Sequence, residues 1–213
     1  TMTVVYGLDV SSHPNAQYHI PADLLPFGIA AKVGYAPNLA EGQGNSFQTS
    51  GPINPQTLTG QTMTGYTVTM APVDGLSIGA DHHITDGQLS TVTQEAESGN
   101  YYAQYAMGNW KVGYNKGYYA PALTAKNTAV TMYENTAWGI EFAINDALSV
   151  SFNEEKSEAT TDVAIAATAS SGTKTRVESE MESMQVAYVL GGATVGVHIV
   201  DVGNADYTAN KDE

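Results

Sequence analysis

Asp81, His82 and His83 are consecutive, and imidazole beside carboxylate is the pairing from which metal centres and general-base sites are built. On a strand, neighbouring residues point to opposite faces, so His82 and His83 cannot grip one ion. Asp81 and His83 do share a face, but two ligands do not make a site. Ser77 has the parity of Asp81 and His83, the residue types of a hydrolytic triad, yet nothing in the spacing holds a base against a nucleophile. The absence of cysteine removes thiolate ligands, a Cys nucleophile and a disulfide framework. Gly191-Gly192 and the other glycine pairs lack phosphate-loop spacing. The acidic stretches Glu154-Glu155-Lys156 and 178–182 read as solvated loops, with divalent-cation binding as a second reading. The expectation is a protein with no catalytic residue, no metal and no cofactor.

The elements that would position polar side chains are strands. Period-two alternation recurs along the chain, and helical periodicity is nearly absent. Phe27, Ile29, Ala31, Val33 and Tyr35 alternate against Gly28, Ala30, Lys32 and Gly34. Leu76, Ile78 and Ala80 alternate against Ser77, Gly79, Asp81 and His83. The same rhythm returns around Trp110, around Trp138, from Leu148 to Phe152 and from Val195 to Ile199. Tight-turn dipeptides separate these runs: Asp74-Gly75, Gly108-Asn109, Asn145-Asp146 and Gly191-Gly192, with a looser turn at 21–26. Longer polar links are expected at about 36–61, 86–97, 116–135 and 154–176. Short turns at one end and long loops at the other describe an antiparallel up-and-down meander of ten or eleven strands in a single domain over 1–213.

Charge and composition bear on the solvent that the apolar parity meets. Charged residues are 14% of the 213, against about 25% in a typical soluble domain. Eight Lys and Arg against 22 Asp and Glu leave a net charge of −14, and Arg176 is the single arginine, which excludes a nucleic-acid partner. The polar parity is mostly Gly, Ala, Ser, Thr, Asn and Gln rather than the dense charge of a wetted surface. Lys32, Asp81, Lys111 and Glu141 all lie on it. A lipid-facing lysine at mid-bilayer would cost roughly 2–4 kcal/mol. Tyr35, Trp110, Tyr114, Trp138, Phe152 and Tyr188 fall on the apolar parity near strand ends, as an aromatic girdle at a membrane boundary requires. The run 177–190 resists this pattern, because the parity of Met184, Val186, Tyr188 and Leu190 would place Glu178, Glu180 and Glu182 on the lipid side. Either the strand leaves the bilayer near Met184 or a bulge switches faces there. The fold expected is an all-β, antiparallel up-and-down transmembrane β-barrel.

Two stretches carry a resemblance. The hairpin at 133–152 alternates Trp138, Ile140 and Phe142, then Leu148, Val150 and Phe152, around Asn145-Asp146. The hairpin at 183–198 alternates Met184, Val186 and Tyr188, then Val195 and Val197, around Gly191-Gly192. Both resemble hairpins of Gram-negative general porins of the alphaproteobacterial type, and the likeness spreads over about residues 62–202. The resemblance implies an outer-membrane location, a barrel of about sixteen strands, a homotrimer, and a water-filled channel for passive diffusion of small hydrophilic solutes and ions. It further implies contact with outer-membrane lipid and lipopolysaccharide, which divalent cations at the acidic stretches would bridge. Fewer strands than the family's, and an end at Glu213 rather than at an aromatic residue, make an incomplete stretch of a larger barrel the expectation.

A porin lumen needs polar lining and a constriction. The lining candidates are Lys32, Asp81, His83, Gln104, Lys111, Glu141, Asn153, Gln185 and His198. The 36–61 link, with Glu41, Pro52 and Pro55, is the candidate constriction loop. The family's constriction opposes acidic loop residues to an arginine cluster. Arg176 alone supplies none, so a cation preference is expected from the net charge. The rival reading is a secreted or surface-layer adhesin, a β-sandwich with the same alternation in water.

Overall fold

The computed structural model describes residues 8–39, 61–86, 94–123, 130–163 and 173–212. Ten strands follow one another: β1 (Ala16–Ile20), β2 (Ala30–Ala36), β3 (Thr62–Met70), β4 (Leu76–Asp86), β5 (Glu97–Met107), β6 (Trp110–Ala120), β7 (Val130–Ala143), β8 (Leu148–Val163), β9 (Thr173–Leu190) and β10 (Ala193–Gly203). They make one antiparallel sheet in sequence order, each strand paired with the next. The up-and-down order matches the expectation. The sheet is not closed, and β1 and β10 are its two edges.

Turn chemistry sets the tight ends. Gly75 has φ 78°, and a Cβ there would lie 2.1 Å from the carbonyl oxygen of Ala106, so the β3–β4 turn excludes a side chain on both counts. Asn145 shapes the β7–β8 turn by accepting the amides of Ala147 and Leu148 at 2.9 and 3.0 Å. At the opposite end the strands outrun the apolar stripe. Residues 116–120, 130–135, 154–163 and 173–176, expected in long links, are strand. The remaining links fall outside the described residues, as does nearly all of the 36–61 candidate loop.

Directly paired residues share a face, so the registers sort every strand onto two sides. Face B carries Tyr35, Tyr66, Val68, Ile78, Tyr101, Tyr105, Trp110, Val112, Tyr114, Trp138, Ile140, Val150, Phe152, Val186, Tyr188, Val195 and Val197. Face A carries the opposite parity. The only irregularity in the registers of these strands lies between Val130 and Met132. β9 stays in step with β8 and β10 throughout, so Glu178, Glu180 and Glu182 do share face B with Met184. No bulge switches faces there.

The buried core sits on face A at the end away from the tight turns. Leu8, Val10, Ala36, Leu39, Met63, Ala96, Tyr119, Ala122, Tyr133 and Ala159 form one cluster, with Val130 and Tyr207 against it. Tyr119 and Tyr133 stack at 6.3 Å between centroids, and Tyr207 tilts onto Tyr133 at 5.5 Å. Segments 8–15 and 204–212 thus bring apolar side chains from both ends of the described chain onto one face. Tyr133 is fully buried, and truncating a large buried aromatic to alanine costs about 3–5 kcal/mol. Tyr133→Ala is therefore expected to lower the thermal unfolding midpoint, whereas Tyr105→Ala, on the exposed side, should lower it far less.

Candidate functional site

Face A divides into rows read straight across the sheet. Nearest the tight turns, Lys111, Glu141, Ser151, Gln185 and His198 are paired in turn from β6 to β10. The next row holds Gln104, Gly113, Gly139 and Asn153. Lys111, Glu141, Gln104, Ser151, Asn153 and Gln185 line a hollow of about 180 Å³ together with Gly113 and Gly139, the Asn153 amide lying over Gly139. Six of the nine lining candidates therefore come together in two adjacent rows, although they derive from six strands.

A second polar row crosses from β2 to β8: Lys32, Thr67, Asp81, Asn100, Gly117, Asn135 and Ser157. Its amides are chained. Asn115 Nδ2 donates to Asn100 Oδ1 at 2.6 Å, and Asn100 Nδ2 donates to Asp81 Oδ2 at 3.3 Å. Ser157 donates to Asn135 Oδ1 at 2.5 Å and lies 2.6 Å from the Tyr207 hydroxyl. Only Lys32 and Asp81 of this row were singled out from sequence. The signal for the others was their shared parity, which distinguishes a face but not a hydrogen-bonded chain.

His83 departs from the expected open lining. It is buried, 7% exposed, in the row of Gly34, Gly65, Ser98, Tyr119, Tyr133 and Ala159, beneath segment 8–15. Its Nε2 is 3.8 Å from Asp81 Oδ1, too far for a hydrogen bond, and its Nδ1 has no partner among the described residues. Ser77 is six residues away on the same strand, roughly 20 Å at about 3.3 Å per residue, so these side chains do not meet. His82 points to face B and bonds Glu97 Oε1 at 3.0 Å, with the Tyr118 hydroxyl donating to the same carboxylate.

Face B is apolar next to the tight turns and charged beyond. There Trp110, Tyr114, Trp138 and Tyr188 are exposed and Phe152 is half-buried against Trp138 at 5.4 Å, whereas Tyr35, also exposed, lies at the opposite end in the row of Glu97. Past this band stand His82, Glu97, Lys116, Glu134, Glu154, Glu158, Glu178, Glu180 and Glu182, whereas Glu155 lies on face A. The expected acidic loops are strands held by cross-strand ion pairs. Lys156 Nζ lies 2.8 Å from Glu180 and 3.5 Å from Glu154, and Arg176 lies 3.0 Å from Glu158. Glu154, Glu180 and Glu182 bring carboxylate oxygens within 4.8 Å of one another. Lys156 already supplies the positive charge such a cluster calls for, and nothing further points to an ion there.

Asp9, absent from the sequence-based candidates, stands exposed on segment 8–15. Its carboxylate accepts the Ser11 amide at 2.8 Å and the Ser11 hydroxyl at 2.5 Å. Partial burial opposes its ionisation, but the Ser11 hydroxyl and amide, helped by the charges of His83 and Lys32, outweigh this and hold its carboxyl below the ordinary aspartate range. A depressed folded pKa contributes stability that is complete above the unfolded value, near 3.9, and is lost as pH falls through the lower folded value. Proteolytic cleavage within 8–15 should therefore rise as pH drops below about 4, read with an acid-active protease, and the Asp9→Asn variant should show a flatter rise.

No protein-family model matches the chain, and no curated protein matches it either.

Proposed function

We propose that this chain forms the wall of an outer-membrane β-barrel, a porin whose water-filled interior passes small hydrophilic solutes and ions by passive diffusion, with a preference for cations. One observation carries the reading: unbroken registers place all nine polar lining candidates on face A and all six aromatic girdle candidates on face B. Exposed apolar patches of this extent need an apolar neighbour, and lipid is the one that suits a continuous band crossing every strand. β3 to β10 are 9 to 18 residues long, enough for the 9–11 or so that cross a bilayer when tilted. The uninterrupted apolar stretch, 110–114 on β6 and 184–190 on β9, covers roughly 14–20 Å of strand. It is shorter than the ~25 Å band of such barrels, and the aromatic rings at its borders extend its reach.

In this reading the charged residues of face B beyond the band stand at headgroup level, facing phospholipid or lipopolysaccharide. The open edges β1 and β10 pair with further strands of a closed wall, and a homotrimer in the outer membrane of a Gram-negative bacterium belongs to the same proposal. The net charge of −14 supports the cation preference.

Single-channel recording, in a planar bilayer under a salt gradient, of the full-length protein with the further strands that close its wall tests the proposal. Stepwise openings with a cation-selective reversal potential are expected, and Glu141→Lys should move that potential towards anions. Val150→Arg and, to a smaller extent, Trp138→Arg should reduce assembly into liposomes, because a lipid-facing arginine costs about 2–4 kcal/mol at mid-bilayer and about 0–1 kcal/mol near its borders. Protein that stays monodisperse without detergent and never inserts would overturn the reading in favour of a soluble sandwich.

A further inference from the structure

Segment 8–15 is seated on face A by a fitted contact. Gly34 and Gly65 are directly paired across β2 and β3; Val10 fills the space over Gly34, while the His83 ring, with Val10 beside it, fills the space over Gly65. A Cβ on Gly34 would lie 2.6 Å from Val10 Cγ1, and one on Gly65 would lie 3.2 Å from Val10 Cγ2. Leu8 is buried in the same cluster, and its amide donates to Ser98 Oγ at 2.8 Å. The segment is folded on itself: Asn15 Nδ2 donates to the carbonyls of Val10 and His13 at 3.1 and 2.5 Å, and the His13 amide donates to Val10 at 3.2 Å. Its other side, Asp9 and Ser11, is exposed. The Asp9 charge is within electrostatic reach of Lys32 and His83. Lys32 and Asp81 occupy the polar row directly below the seat of Val10.

We propose that segment 8–15 is the constriction of the channel, and that Asp9, Lys32 and Asp81 are the charges a permeating ion meets there. This rests on the channel reading above, since face A lines a passage only if face B meets lipid. Within that reading the segment narrows the passage from inside, a role first looked for in the 36–61 loop. Two carboxylates against one ammonium leave the narrowing negative, so it passes small hydrated cations and retards anions.

Two substitutions in the full-length protein with its wall closed, recorded in planar bilayers beside the wild type, separate the possibilities. Gly34→Val removes the seat of Val10 and is expected to raise single-channel conductance by about twofold by widening the path. Asp9→Lys, at an exposed position, is expected to shift the reversal potential towards anions, with protease resistance of segment 8–15 measured alongside to show that the segment stays seated. If Gly34→Val does not fold, Asp9→Lys still decides the matter. A channel-forming wild type with an unchanged reversal potential in Asp9→Lys would overturn the constriction while leaving the channel reading in place. A wild type that forms no channel would overturn both.

Discussion

The register of the antiparallel ladder is the constraint on which the rest depends. Each backbone amide and carbonyl in a strand interior must find a partner, and here each strand finds its partner in its sequence neighbour, from β1 to β10. Because side chains alternate with period two, a slip of one residue would exchange the faces of an entire strand. The ladder runs through nine pairings with one irregularity, between Val130 and Met132. That continuity lets residues from five strands gather as the polar hollow of face A, and it aligns Trp110, Trp138 and their neighbours on face B.

The two faces then meet different fates. Face A is not uniformly wet. At the tight-turn end it is lined by Gln104, Lys111, Glu141 and Asn153 over glycine, whereas at the other end segments 8–15 and 204–212 cover it with the buried cluster. The Asp81–Asn100–Asn115 chain lies between, joining the open hollow to the packed cluster. Face B is apolar where face A is hollow and charged where face A is packed. At the charged end, long strands remain paired although their described face-B side chains include six acids from Glu134 to Glu182, and Lys156 and Arg176 bridge β8 to β9 among them. Surface ion pairs contribute about 0–1 kcal/mol each. Backbone pairing holds these strands, and the ion pairs relieve the repulsion between neighbouring carboxylates.

Much of this was legible in the sequence, because it is local. Alternation assigned Lys32, Asp81, Lys111 and Glu141 to one side and Tyr35, Trp138 and Tyr188 to the other, and dipeptides such as Asp74-Gly75 marked the turns. These features depend on the two-residue repeat of a strand and on the φ angles glycine tolerates, and neither needs a distant partner. The failures share the opposite property. The strands were expected to stop where the apolar stripe stops, yet β8 and β9 continue, since their pairing is satisfied by each other whatever the side chains. His83 was read from its parity as open lining, and parity names a face without saying what lies over it.

What the sequence determined by itself is therefore the strand order, the turn positions and the side of the sheet to which each residue belongs. The tertiary structure alone decided that Val10 meets Gly34 and Gly65, that Leu8 bonds Ser98, that Tyr207 closes over Tyr133, and that these contacts bury His83. Such contacts join residues from 24 to 90 positions apart, and no local period encodes them. The contact at Val10 exists because the ladder brings the paired glycines together, and the space over them admits the Val10 side chain beside the His83 ring.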